Sequence, residues 1–424
     1  MAGSYAAALG GIWRSAQLAD DFHALADCGG RFAGTASEAR ACALLRERLR
    51  AAAPGARLTE HRVAYPGWWR ERTTLARAGG ADARPLRAHS LVWSPPTPPG
   101  GLEAEVLDLG RGTPEAFVAA AARIPGRLVL VRHEYPFAAG TIHRRRKYLW
   151  ARERGAAGFL IASPLAGNVL VTGSSGRGEV ADIPAAGVCL ESAAALGGGA
   201  GARLDVSVRR GPAEARNLVL EIPGRTAEWV VLSAHYDGHD LAESALDNAA
   251  GVAAVLELVR TLGPEIASRR RGLRAMLFSV EEWGLYGSER YVAELGPAER
   301  AAIALNLNLD TLAGGEGPLT ALVSGFTDLD AWVGRVAGAA GLDLRTVLPL
   351  MPNSDHASFA AAGIPALRLV GGFDDPLAPP RYVLTAADTR DKVSLTALKG
   401  ATLVAAELLW QALDWPGPIV PPQR

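Results

Sequence analysis

Three apolar runs of strand length in the second half of the chain each break off at acidic or imidazole residues. WVVLS (229–233) leads into His235 and Asp237, RAMLFSV (274–280) into Glu281 and Glu282, and ALNLNL (304–309) into Asp310. A fourth run, ALRLV, occupies 366–370, and NLVLEI, 217–222, adds a fifth. Their length and apolar composition predict strands. Between the runs, Val252, Val255, Leu256 and Val259 recur at helical spacing up to Leu262, and 287–295 predicts another helix. Strand and helix in alternation imply an α/β layer fold with a mostly parallel sheet, whose chemistry gathers at the carboxyl ends of its strands.

The first half is patterned differently. Residues 16–53 predict helices, with Leu44, Leu45 and Leu49 on one face, interrupted by the glycine-rich turn CGGRFAGTASE, where Thr35 or Ser37 is a candidate N-cap. Residues 61–74, with the vicinal Trp68 and Trp69, predict a strand pair. SPPTPPGG (94–101) suits no helix or strand interior. The runs 127–131, 158–162 and 183–189 beyond it predict a small inserted domain over roughly 81–211. Within it, His143-Arg144-Arg145-Arg146-Lys147 reads as a solvated helix face, or as an anion-binding patch overhanging an active site.

Composition narrows the function. A chain of 424 residues predicts two or three domains. Lys+Arg (44) balance Asp+Glu (44), so no global field draws nucleic acid or an anionic membrane. Cys28, Cys42 and Cys189 match no ligand spacing and suit a reducing compartment. The N-terminus lacks a basic stretch before a long apolar core, and no run of about 18 apolar residues occurs, so the expectation is a soluble, cytoplasmic protein. Oligomeric state is not legible.

An imidazole and several carboxylates (His235, Asp237, Asp240, Glu243, Asp247) leaving one buried strand are suited to a divalent cation. Side by side, Glu281 and Glu282 repel when desolvated, and bound cations remove that cost, although two glutamates opening a helix also gain from its dipole.

Six segments in order, SAHYD, ALDNAAGVA, FSVEEWGLYGS, NLD, SDHASFAAAGIPALRL and DTRDKV, resemble the co-catalytic zinc exopeptidases, the family of bacterial leucyl aminopeptidases, glutamate carboxypeptidase and glutaminyl cyclases. GGRFAGTASE is similar to that family's N-terminal segment, and RLVLVRHEYPF and RERGAAGFLIAS resemble a protease-associated domain. The resemblance implies a mostly parallel mixed sheet sandwiched by helices, with the catalytic domain split into 1–80 and 212–424 around a small β-rich insertion at 81–211. It makes His235 and Asp310 ligands of one metal, Asp247 the bridge between two, Glu282 a ligand of the second, Glu281 the general base, and Asp237 the residue orienting His235. A cis peptide at Asp247–Asn248 is a further family feature. The implied activity is hydrolysis of a peptide or amino-acid amide by a cation-activated water, with one or two zinc ions.

The chain departs from that pattern at two positions. Leu384 stands where the family has the histidine of the second site, and Met351 where some members have an oxyanion-steadying tyrosine. His356, His239 and His143 are the candidate substitutes, with His356 ranked first. Asp240, Glu243 or Asp355 could hold a substrate ammonium, and Arg144, Arg145 or Arg368 a substrate carboxylate. The competing functions are a non-catalytic binding protein that kept the fold, and an amide-forming or acyl-transfer enzyme.

Overall fold

The computed structural model describes residues 2–78, 85–176 and 182–421. The expected boundary at 80/81 lies outside the described residues. Strand Trp229–His235 sits at the centre of the sheet, parallel to Gly272–Phe278 on one side and to Ile303–Leu309 on the other. Ala366–Val370 extends the parallel set beyond Ile303–Leu309, and Leu319–Leu322 and Leu344–Val347 complete that edge. Neither of these last two strands is predicted from the sequence: each is four residues long, and Leu344–Val347 is half-exposed, so no sustained apolar run marks them.

The central strands are buried on both faces, with Ser233, Asn306 and Asn308 hydrogen-bonding one another among the apolar residues. Val230, Leu232 and Ala234 pack with helices Gln17–Asp27, Ala36–Ala52, Ala250–Ile266 and Leu395–Asp414 on one face. Val231, Met276 and Phe278 meet Tyr291, Val292 and Phe359 on the other. Truncating one of these fully buried side chains, as in Leu232→Ala, would cost about 2–5 kcal/mol. The N-terminal helices thus cover the same sheet as the second half of the chain.

The expected pair at 61–74 is instead one strand, Arg57–Arg77, antiparallel to Gly201–Ile222 along nearly its whole length. Trp68 is buried in the cluster that holds Trp93 and Trp283. These two long strands carry the chain out of the central sheet and back. Between them lie the parallel strands Leu128–Arg132, Gly158–Ala162 and Ala185–Val188, with apolar clusters of their own. The basic run opens helix Arg144–Glu153, but it is not a solvated face: Arg144 and Lys147 are buried and only part of the run is exposed.

Candidate metal centre

His235 is the last residue of the central strand, Glu281 and Glu282 follow the end of Gly272–Phe278, and Asp310 follows Ile303–Leu309. Adjacency of the three parallel strands brings these side chains to one rim. Among the described residues, one group of three offers ligand atoms within 4.8 Å of one another: His235, Glu281 and Asp310. Asp247 joins from the loop before helix Ala250–Ile266, its Oδ1 lying 3.0 Å from His235 Nε2, with Asp310 Oδ1 at 3.7 Å. Asp247–Asn248 is a cis peptide.

Buried scaffolding holds these groups. Asp237 accepts hydrogen bonds from the backbone N–H groups of Glu281 (3.1 Å) and Glu282 (3.3 Å), which fixes the Glu-Glu corner. His235 Nδ1 lies 3.1 Å from the main-chain oxygen of Asp237 and 3.6 Å from its carboxylate. The carboxylate expected to orient the imidazole therefore holds the glutamate backbone more closely than it holds the ring. Asp388 accepts from the N–H groups of Leu246 (2.7 Å) and Asp247 (3.2 Å), and so positions the Asp247 loop. Arg31 is fully buried and donates to the carbonyls of Tyr236, Glu243 and Ser244, clamping the loop that leaves the central strand. Arg31 and Asp388 escape a residue-by-residue reading. Their one signal is that both lie in segments that resemble the family, GGRFAGTASE and DTRDKV.

Like charges crowd this rim. Asp237, Asp247, Glu281, Asp310 and Asp355 are all buried, and the Glu282 side chain is 7% exposed. Burial, with repulsion from neighbouring carboxylates, pushes the Glu281 and Glu282 pKa values well up, although His235 pulls the other way. Burial also acts to raise Asp310, but Arg368 and then His235 outweigh it and hold that carboxyl below its usual range. Glu281, Asp237, Asp247 and Asp310 outweigh the burial of His235 and push its pKa well above the usual imidazole value.

The donor set fits a divalent cation. His235 Nε2 has no aligned hydrogen bond despite two carboxylates within 3.7 Å, and Oε1 of Glu282 is likewise unpartnered. Buried donors that crowd together without bonding one another are placed as ligands are around a common ion.

The remaining candidates separate cleanly. Arg368 pairs with Asp310 Oδ2 at 3.1 Å and donates to the carbonyl of Asn353, so it braces the site's acid wall. Arg144 and Arg145 line a cavity of about 700 Å³ together with Asp247, Glu281, Glu282, Asp310 and Leu384. Their guanidinium groups are anchored on Ser174, through its carbonyl and its hydroxyl respectively. Asp240 is engaged by Arg70 and His89, and Glu243 by Arg390, so neither is placed to hold a substrate ammonium. His356 is fully buried at the start of helix His356–Ala361 and shares no ligand cluster with Glu282. His239, the second candidate, has its Nε2 2.7 Å from Glu282 Oε2. Local sequence favoured His356 for its motif, whereas the Arg31 clamp on the 236–244 loop folds His239 inward.

A carboxylate-rich pocket with imidazoles, at the carboxyl rim of a parallel sheet, defines a metal-dependent hydrolase. Residues 217–409 match the profile of Peptidase family M28 and residues 94–196 that of the PA domain. The peptidase profile thus covers the strands that carry His235, Glu281, Glu282 and Asp310, and the PA-domain profile the inserted segment. It is 29% identical over 374 residues to the probable lipoprotein aminopeptidase LpqL of Mycobacterium tuberculosis, covering 78% of this chain and 72% of that one. The fold is shared with the Peptidase M28 precursor of Shewanella amazonensis (TM-score 0.81, 23% identity, 99% and 98% of the two chains). It is also shared with BSAP, a zinc aminopeptidase from Bacillus subtilis (TM-score 0.73, 23% identity, 94% and 95%).

Proposed function

We propose that this chain is a zinc-dependent exopeptidase of aminopeptidase type, hydrolysing a peptide or amino-acid amide in the cavity between the sheet rim and the inserted domain. The observation that carries the reading is the unpartnered Nε2 of His235, set against Asp247 and Asp310 at the end of the central strand. A divalent cation bound there supplies Lewis-acid polarisation of the scissile carbonyl and acidifies a water. Glu281, buried beside His235 with its pKa raised, is the base that takes the water's proton and returns it to the leaving amine. Asp237 holds Glu281 in place through the backbone, and Arg368 keeps Asp310 ionised. Arg144 and Arg145, on the opposite wall, are placed to contact substrate carbonyl or carboxylate oxygens.

Three buried cysteines without disulfides favour a reducing, cytoplasmic setting. No helix among the described residues is long and apolar enough to cross a membrane.

Turnover of aminoacyl amides and of acyl-amino-acid amides, measured for wild type and Glu281→Gln alongside zinc content, tests the proposal. Hydrolysis of aminoacyl amides that falls about 10²–10⁴-fold in the variant supports it. A protein that binds no zinc and turns over neither substrate would instead be a binding protein that kept the fold.

A further inference from the structure

The resemblance to zinc exopeptidases leaves the second metal site one histidine short, because Leu384 stands at that histidine's position. Leu384 does line the catalytic cavity, with a left-handed backbone (φ 63°), and its carbonyl accepts from Thr172 of the inserted domain at 2.8 Å. It offers no side-chain ligand. A different imidazole lies against Glu282. His239 is 4% exposed, and neither of its ring nitrogens has a hydrogen-bond partner.

The position of His239 is built into the fold. Its N–H donates to Ser244 Oγ at 2.9 Å, and its carbonyl rests so closely on Gly30 that a Cβ there would stand 1.7 Å from the oxygen. Its Nε2 lies 2.7 Å from Glu282 Oε2 but out of hydrogen-bonding line, and Glu282 Oε1 has no partner either. Two donors on one zinc stand about 3 Å apart, each aimed at the ion rather than at the other.

We infer that His239 and Glu282, beside the Asp247 that the family resemblance makes a bridge, hold a second zinc ion, with the histidine coming from the loop after the central strand instead of from the segment that carries Leu384. This rests on the hydrolase reading above and gives it two ions in place of one. Because Arg144 also faces Glu282, its guanidinium is the competing way to neutralise that carboxylate.

Zinc bound per chain, measured after equilibrium dialysis of the full-length protein, decides the matter, with the absorption of the cobalt-substituted protein as an independent readout. About two ions in wild type, about one in His239→Ala and in His239→Asn, and about two again in His239→Ala/Leu384→His would support the assignment. The lost ion should bind at least about 100-fold more weakly, with the circular dichroism of the single variants unchanged. Two variants guard against a folding defect in one, and the double variant restores the histidine at the position the family uses. Two ions retained by both single variants would overturn the assignment. One ion in wild type, with Glu281-dependent turnover intact, would also overturn it while leaving the hydrolase reading in place. No zinc and no turnover would bring down both.

Discussion

The two flanks of the metal centre are built from different material. On one flank His235, Glu281 and Asp310 come off the ends of three adjacent parallel strands, so the ladder that holds the sheet together also sets their spacing. On the other flank His239 and Leu384 sit on loops, and Glu282 on the corner between them. The His239 loop is placed by Arg31 and Gly30, which lie some two hundred residues away in sequence. A strand end leaves little freedom for a ligand to move elsewhere, because shifting it by one residue turns the side chain to the opposite face. A loop held by side-chain hydrogen bonds can supply a ligand from several positions. The strand-borne flank therefore keeps the family's residues, and the loop-borne flank is where the chain departs from them.

That contrast can be tested from its largest consequence downward. His235→Ala, on the strand-borne flank, should abolish zinc binding at that site and reduce turnover by more than about 10³-fold, whereas His239→Ala should leave measurable activity. Equal losses from the two substitutions would remove the distinction. Gly30→Ala drives a methyl group into the His239 carbonyl. It should cost about 2–3 kcal/mol in thermal or urea unfolding and lower zinc content without displacing the ion held by His235. Arg368→Met removes the cation that holds the Asp310 pKa down. The Asp310 pKa then rises, and the acid limb of the pH–rate profile should move to higher pH. An unmoved limb would show that Asp310 does not depend on Arg368.

The smallest expected effect lies just behind the rim. Glu38, buried against Ser279 and accepting from the Gly34 N–H at 2.7 Å, has its pKa raised from 4.5 to about 7, chiefly by burial. Between those two values the folded chain binds more protons than the unfolded one, so this group's contribution to stability declines as pH rises through that window. Glu38→Gln should flatten the decline in urea titrations of the zinc-free protein between pH 4.5 and 7.

Much of this could be read in advance. The central strands and their helices declare themselves as long apolar runs and 3.6-residue spacing, and the residues ending each run are the ones gathered at the rim. The edge strands Leu319–Leu322 and Leu344–Val347 gave no comparable signal, being short and, in the second case, half-exposed. The strand Arg57–Arg77 was legible only in part, because its partner lies more than a hundred residues downstream, across the whole insertion.

Sequence by itself determined the layer architecture, the inserted domain and the acidic and imidazole residues of the rim, since hydrophobic period and motif order are local properties of the polymer. Tertiary structure alone decided which histidine faces Glu282. His356 and His239 are both buried, and nothing local distinguishes them as ligands. The choice falls to His239 because a guanidinium from residue 31 gathers the carbonyls of its loop, and because only glycine at position 30 leaves room for the loop to lie against it. Contacts made across some two hundred residues of chain are written in no single stretch of it.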